Sequence, residues 1–254
     1  MILHPLESAA PNCGAPQPVW DVILHSQKQP ARDWLLVAQS DHAQLAGEIA
    51  ARIRLPGIPP LDDQVLRAIA LHDHGWSAVD NFASPLTDAG GRPLSFFDVP
   101  PSDILRAWRG SIARAEEASP IAGILVSEHF CRIARDFAHA PKSAPEVAQA
   151  LTTFLEREQD RQEQLRAAQS RTEHEIGALV DVLQFCDLLS LYVCCGARDS
   201  VEFPQRFGVD AIRLTRQGDC CHLEPQMIAN GASLAIEGRG FPKSSTSLIP
   251  VLLV

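Results

Sequence analysis

The spacing of apolar positions divides the chain into two short extended runs, a long helical stretch and a tail with β-like character. "VWDVILHS" and "DWLLVAQ", separated by "QKQPAR", are apolar runs of strand length and predict a hairpin or a pair of edge strands. From Ser40 the period lengthens. In "SDHAQLAGEIAARI" the apolar residues step by four through Leu45, Ile49 and Ile53, with Ser40 or Asp41 as N-cap and Pro56-Gly57 as the stop. "LDDQVLRAIALHDH" predicts a second helix, with Asp62 and Asp63 suiting its first turn and Gly75 its end.

Residues 77–101 carry "DAGG", several prolines and Phe82, Phe96 and Phe97, and predict an irregular excursion of the kind that serves as a lid or binding segment. Helices resume over 102–117 and 120–138. A long amphipathic helix, "APEVAQALTTFLEREQDRQEQLRAAQ", and a far more apolar one, "TEHEIGALVDVLQFCDLLSLYVCC", follow, the second closed by Gly196. After about residue 200 the chain breaks into "AIRLTRQ", "CCHLEP", "ASLAIEG" and "SLIPVLLV", which read as strands. The expected fold is therefore mainly α, a helical bundle with a small antiparallel sheet built from the N-terminal hairpin and the C-terminal strands. Residues 1–18 are expected as a loosely ordered extension and 19–254 as one domain, with 200–254 a β-rich appendage.

Composition narrows the partners. Hydrophobic residues make up 46% and charged residues 21%, an ordinary globular balance. The net charge of −9 argues against nucleic acid or an anionic membrane as partner, because both would repel the chain on average. The N-terminus lacks the pattern of a secretory signal and no apolar run is expected to span a bilayer, so the expected location is cytoplasmic. Seven cysteines without a Cys-x-x-Cys pattern read as thiols rather than a disulfide framework. A homodimer, for instance through the charged half of the long amphipathic helix, is compatible with the sequence.

Four places put an ionisable group where a helix is otherwise apolar. His42 precedes Leu45, Ala46 and Ile49 on one stripe; His72 and Asp73 close the second helix; His129 lies on a face with Leu125, Val126 and Ile133; Asp187 has Leu183 and Leu191 four residues to either side. A buried carboxylate without a partner costs several kcal/mol, so Asp187 demands a cation or strong donors. A divalent ion bound by neutral imidazoles and carboxylates satisfies all these groups together. Taken singly, His42 and His129 are compatible with ordinary core histidines, and His72-Asp73 with a solvated helix end. His74, two residues beyond His72, is expected to face elsewhere.

The order His, His-Asp, His, Asp over successive helices resembles the HD-domain superfamily of metal-dependent phosphohydrolases, which implies His42, His72, Asp73 and Asp187 as ligands. The words "AQSDHAQLAGEIA", "ALHDHGW", "GRPLSFFDVP", "ILVSEHF" and "LQFCDLLSLYVC" resemble an uncharacterised bacterial family, domain of unknown function 3891, over residues 34 to about 250. The implied fold is HD-like. The implied chemistry is hydrolysis of a small phosphorylated substrate by water activated on one divalent ion, with Mn, Fe, Zn and Mg not distinguished. In that reading Asp73 orients the water as well as ligating the ion, and His129 acts as pocket acid or base. Arg92 would pair with the substrate's anion, and Trp76, with Phe96, would form a wall of the site. Binuclear HD enzymes use two further histidines; His129 is one candidate, whereas His139 points away from it on a continuous helix, which favours a single ion. Two alternatives remain, an HD-type non-haem iron oxygenase and a non-catalytic metal- or ligand-binding regulatory protein.

Overall fold

The structure, a computed structural model, describes residues 1–7, 14–58, 60–138, 144–228, 231–243 and 245–254. His139 lies outside the described residues. Among the described residues are seven helices, α1 Val19–Gln27, α2 Gln39–Ala50, α3 Asp63–Leu71, α4 Pro101–Ala118, α5 Pro120–Ala138, α6 Pro145–Arg166 and α7 Glu173–Cys194, of which the last six follow the expected periods closely. Asp62 caps α3 by accepting from the Gln64 and Val65 amides, and Thr172 with Glu175 forms a capping box at the start of α7. Gly196 takes φ +66° just after α7, a left-handed turn that ends the helix.

The expected mainly-α architecture is overturned. Helices occupy 50% of the chain and strands 19%, and the strands form one curled, mixed, eight-stranded sheet, a half-barrel, which makes this a mixed α and β fold. The strands are β1 Ile2–Pro5, β2 Gln17–Pro18, β3 Trp34–Val37, β4 Val201–Phe203, β5 Ile212–Gln217, β6 Cys220–Glu224, β7 Ala232–Phe241 and β8 Thr246–Leu253. Their order is β1-β3-β7-β8-β6-β5-β4-β2, with β6/β8 and β2/β4 parallel and the other pairs antiparallel. The C-terminal strands are thus the middle of a sheet whose edges come from the N-terminal segment. Residues 2–5, expected in a loose extension, pair with β3 from Ile2 opposite Val37 to Pro5 opposite Trp34.

The predicted N-terminal hairpin does not form either. "VWDVILHS" is helix α1, which buries Val19, Val22, Ile23 and Gln27 at the i, i+3, i+4, i+8 spacing of a helical face. Strands β1 and β3 are buried on both faces. Ile2, Leu35 and Val37 join the main core, while Leu3, Trp34 and Leu36 form a second small cluster with Met1. A strand covered on both sides has no reason to alternate.

Helix α7 runs through the centre of the molecule. It is long and apolar enough to cross a membrane, with mean hydropathy 1.7, more than the sequence expectation allowed, but 72% of that window is buried within the protein. Phe185 on α7 meets Phe203 of β4 with ring centroids 4.8 Å apart, and the sheet residues Ile212, Leu214, Leu234, Ile236 and Val251 share one core with the helices. The six cysteines among the described residues are all free thiols.

Candidate metal centre

Four helices bring the ionisable groups of the sequence to one place. α2 packs on α3 and α7, and α3 and α7 also pack on α5. His42, in the first turn of α2, shares the buried face of Leu45, Ala46 and Ile49. α3 ends at Leu71, so His72 is its C-capping residue and Asp73, at φ −113° and ψ 18°, starts the reversal into a 3₁₀ turn, His74–Ala78. That reversal depends on Gly75, which lies so close to α4 that a Cβ would stand 2.1 Å from the Ala107 carbonyl oxygen and 2.5 Å from the Ser111 amide nitrogen. The Gly75 amide donates to Ser111 Oγ at 2.9 Å. His129 comes from α5, and Asp187 from the middle of α7.

All five groups are buried: His42 and His72 are 0% exposed, His129 2%, Asp73 7% and Asp187 8%. His42 Nε2 lies 2.9 Å from Asp73 Oδ2, and His72 Nε2 lies 3.3 Å from Asp187 Oδ1 and 3.9 Å from Asp73 Oδ2. Single ligand atoms of His42, His72 and Asp187 fall within 4.8 Å of one another. The neighbouring bonds fix which ring nitrogens face inward. His72 Nδ1 lies 2.7 Å from the Ile69 carbonyl, which can only accept, so Nδ1 carries the proton. Ser190 Oγ donates to the Asp187 carbonyl at 2.9 Å and therefore accepts from His42 Nδ1 at 3.0 Å. In the neutral imidazoles both Nε2 lone pairs then point at carboxylates. Lone pairs facing anions in a buried site require a cation between them, either added protons or a metal ion, and two imidazoles with two carboxylates suit Mn, Fe or Zn. The residues present therefore fit a divalent ion.

The protonation balance shows the same need. Burial alone would lower His72, but the Asp73 charge and the hydrogen bond and charge of Asp187 outweigh it and raise the imidazole to about 9. Burial would raise Asp187, yet the His72 hydrogen bond and the surrounding imidazoles bring it down to about 2. His129 is pushed by burial to about 4, against the pull of Asp187, and is neutral at pH 7.

A pH profile of the metal-free protein follows from these directions. The stability due to His72 is complete below the ordinary imidazole value and is lost as pH rises through about 9. His129, and His4, which burial also lowers to about 4, act oppositely: acid favours the unfolded chain, so stability falls as pH drops from about 6.5 toward 4. The contribution of Asp187 is lost lower still, as pH falls toward about 2. Urea unfolding of metal-free protein should therefore show maximum stability near pH 6.5, with a basic limb of about 3 kcal/mol at about 1.4 kcal/mol per unit. Stability that keeps rising from pH 6.5 to 9 would contradict the protonated His72.

The centre forms the end of a cleft of about 830 Å³ into which Asp187 and His129 open. Helices α5 and α7 line it with Arg132, Ile133, Arg135, Phe137, Gln184 and Leu188, and Trp20 and the 204–206 loop close the other side. The sequence reading missed Ser190 and these wall residues. Ser190 was legible as a hydroxyl one turn beyond Asp187; the walls come from elements far apart in the chain.

Two expected substrate contacts are placed elsewhere. Arg92 does not line the cleft: it donates to the Gln27 carbonyl at 2.9 Å and to Asp98 Oδ2 at 3.1 Å, holding the 77–101 excursion against α1. Trp76 is buried in the 3₁₀ turn at 3% exposure and does not line the cleft. The excursion, expected over the site, instead packs beside β1 and α1, where the Phe96 amide donates to the Met1 carbonyl at 3.0 Å. His74 is half-buried and outside the cluster, as its position relative to His72 implies.

A family model described as "Protein of unknown function (DUF3891)" matches residues 24–239. No curated protein and no solved structure matches the chain.

Proposed function

We infer that this chain, which belongs to the DUF3891 family of unknown function, is a metal-dependent hydrolase of a small phosphorylated substrate. The observation that carries this reading is the pair of pinned imidazoles, His42 and His72, whose inward nitrogens face the carboxylates of Asp73 and Asp187 where a substrate-sized cleft ends. His42, His72, Asp73 and Asp187 would hold one divalent ion. Such an ion supplies a Lewis acid for a phosphoryl oxygen and lowers the pKa of water toward neutrality. The order of these four residues along the chain also resembles the ligand order of the HD-domain phosphohydrolases, and the eight-stranded sheet is no part of that resemblance.

The chain's own residues do the positioning. Ser190 and the Ile69 carbonyl hold the two imidazoles in one tautomer and one orientation. Asp73, within 3.9 Å of both imidazoles, would orient the nucleophile as well as ligate the ion. His129 lines the cleft, and its buried Nδ1 has no hydrogen-bond partner among the described residues, so the ring keeps a polar atom still to be satisfied. As a neutral imidazole it has one ring N–H to donate and one lone pair to accept a proton, which suits the acid-or-base role expected for it.

Elemental analysis of protein purified without chelator, followed by phosphate release from a phosphoester panel, tests the reading. One divalent ion per chain with turnover is expected; a protein that takes up no stoichiometric metal under any loading condition defeats it. Because His129 Nε2 stands 3.9 Å from Asp187 Oδ2 and its ring 5.3 Å from that of His72, it is a fifth group within reach of the centre. Two irons with an oxygen-sensitive spectrum would therefore establish the oxygenase alternative, and metal without turnover the regulatory one. Ser190→Ala, which frees the His42 tautomer, should weaken metal binding about 10–100-fold in competition with a chromophoric chelator. Unchanged affinity would remove Ser190 from the centre.

A further inference from the structure

The outer half of the cleft differs from the surface around it. Trp20, 38% exposed, and Phe137, 45% exposed, are two of the five large apolar side chains that stand exposed among the described residues, and both line this cleft together with Ile133 and Leu188. Trp20 is braced edge-on by Phe97, with ring centroids 5.4 Å apart, so the excursion backs it from behind. Exposed apolar surface gathered in a concavity marks a binding site rather than chance exposure.

The same walls carry Arg132, Arg135 and Arg206. Each is held by a carboxylate: Arg132 by Asp181 at 2.6 Å, Arg135 by Glu128 at 3.0 Å, Arg206 by Glu202 at 3.1 Å. Asp136, Asp181 and Asp187 line the same cleft, so the three arginines offset its carboxylates and, in a chain of net charge −9, keep this lining from repelling an anion.

We propose that the cleft takes a phosphomonoester with a flat apolar body, its phosphoryl end at the His/Asp centre and its body against Trp20 and Phe137. The phosphoryl end rests on the functional reading above; Trp20 and Phe137 are determinants of specificity and touch no reacting atom. A glycerol-sized phosphate cannot cover the apolar wall, and a cleft of about 830 Å³ has the size that encloses a larger organic ligand.

Calorimetric titration of 1-naphthyl phosphate, glycerol 3-phosphate and uncharged 1-naphthol into wild type, Trp20→Ala and Phe137→Ala, each with its metal content measured, tests the assignment. Wild type should bind 1-naphthyl phosphate at least tenfold more tightly than glycerol 3-phosphate and than 1-naphthol. Each alanine variant should lose most of the first preference while keeping metal content and affinity for glycerol 3-phosphate. Equal affinity for the two phosphates, equal affinity for naphthyl phosphate and naphthol, or a preference unchanged in both variants overturns it. So does a dimer of wild type in sedimentation that Phe137→Ala abolishes, because a second copy of the chain would then fill the cleft. A wild type without metal defeats the functional reading alone, since the ratio of ligand affinities still decides the specificity of the walls.

Discussion

Asp187→Asn is expected to reduce metal affinity by at least a hundredfold and to abolish any metal-dependent turnover, with the fold retained. Asparagine keeps the shape of the side chain in the middle of α7 but removes the negative charge that faces His72 at 3.3 Å and His42 and His129 at 3.9 Å. Loss of an outer partner of a metal ligand alone costs about 10–100-fold, so loss of a ligand charge costs more. Without that charge His72 also loses one of the two carboxylates that raise it. The basic limb of the stability profile should therefore begin at lower pH. Elemental analysis and urea unfolding on the same preparations separate the two effects. A variant that retains stoichiometric metal at wild-type affinity would remove Asp187 from the ligand set.

Gly75→Ala should destabilise the protein by about 3 kcal/mol or more, because the new methyl would overlap backbone atoms of α4 that cannot rotate aside. Gly110→Ala is the internal control: its Cβ would meet nothing nearer than the Gly75 Cα, at 3.3 Å, and a smaller loss is expected. The turn at Gly75 follows directly on Asp73, so any Gly75→Ala protein that still folds should also bind metal more weakly. Urea unfolding monitored by circular dichroism, paired with chelator competition, reads both. Equal stability of the two variants would show that α4 gives way at Gly75.

The helices from α2 onward, and the ionisable groups that converge between them, could be read from the sequence because both depend on local pattern. His42, His129 and Asp187 each interrupt an apolar stripe, and a group that interrupts a buried stripe has to be satisfied by something beyond its own helix. What the pattern did not contain was the partner of each strand. Trp34–Val37 pairs with β7 some two hundred residues later, and its uniform apolar run reflects cover on both faces. "VWDVILHS" deceived through its β-branched residues, although the burial of Val19, Val22 and Ile23 follows a helical spacing that a count of intervals would have found. Arg92 looked like a substrate ligand because a loop sequence does not say which groups an arginine meets; its partners, Asp88, Asp98 and the Gln27 carbonyl, appear only in three dimensions.

Helix α7, apolar on nearly every side and packed between sheet and helices, carries both Asp187 and Ser190. Its amides should be among the last in the protein to exchange with solvent, since they open only with the whole core. The site is then preformed, and stripping the ion with a chelator should leave the far-ultraviolet circular dichroism unchanged. Asp187 and His129 line the cleft, so an ion can enter there without the scaffold opening. A ligand seated against Trp20 and Phe137 would therefore slow metal loss as well as await reaction.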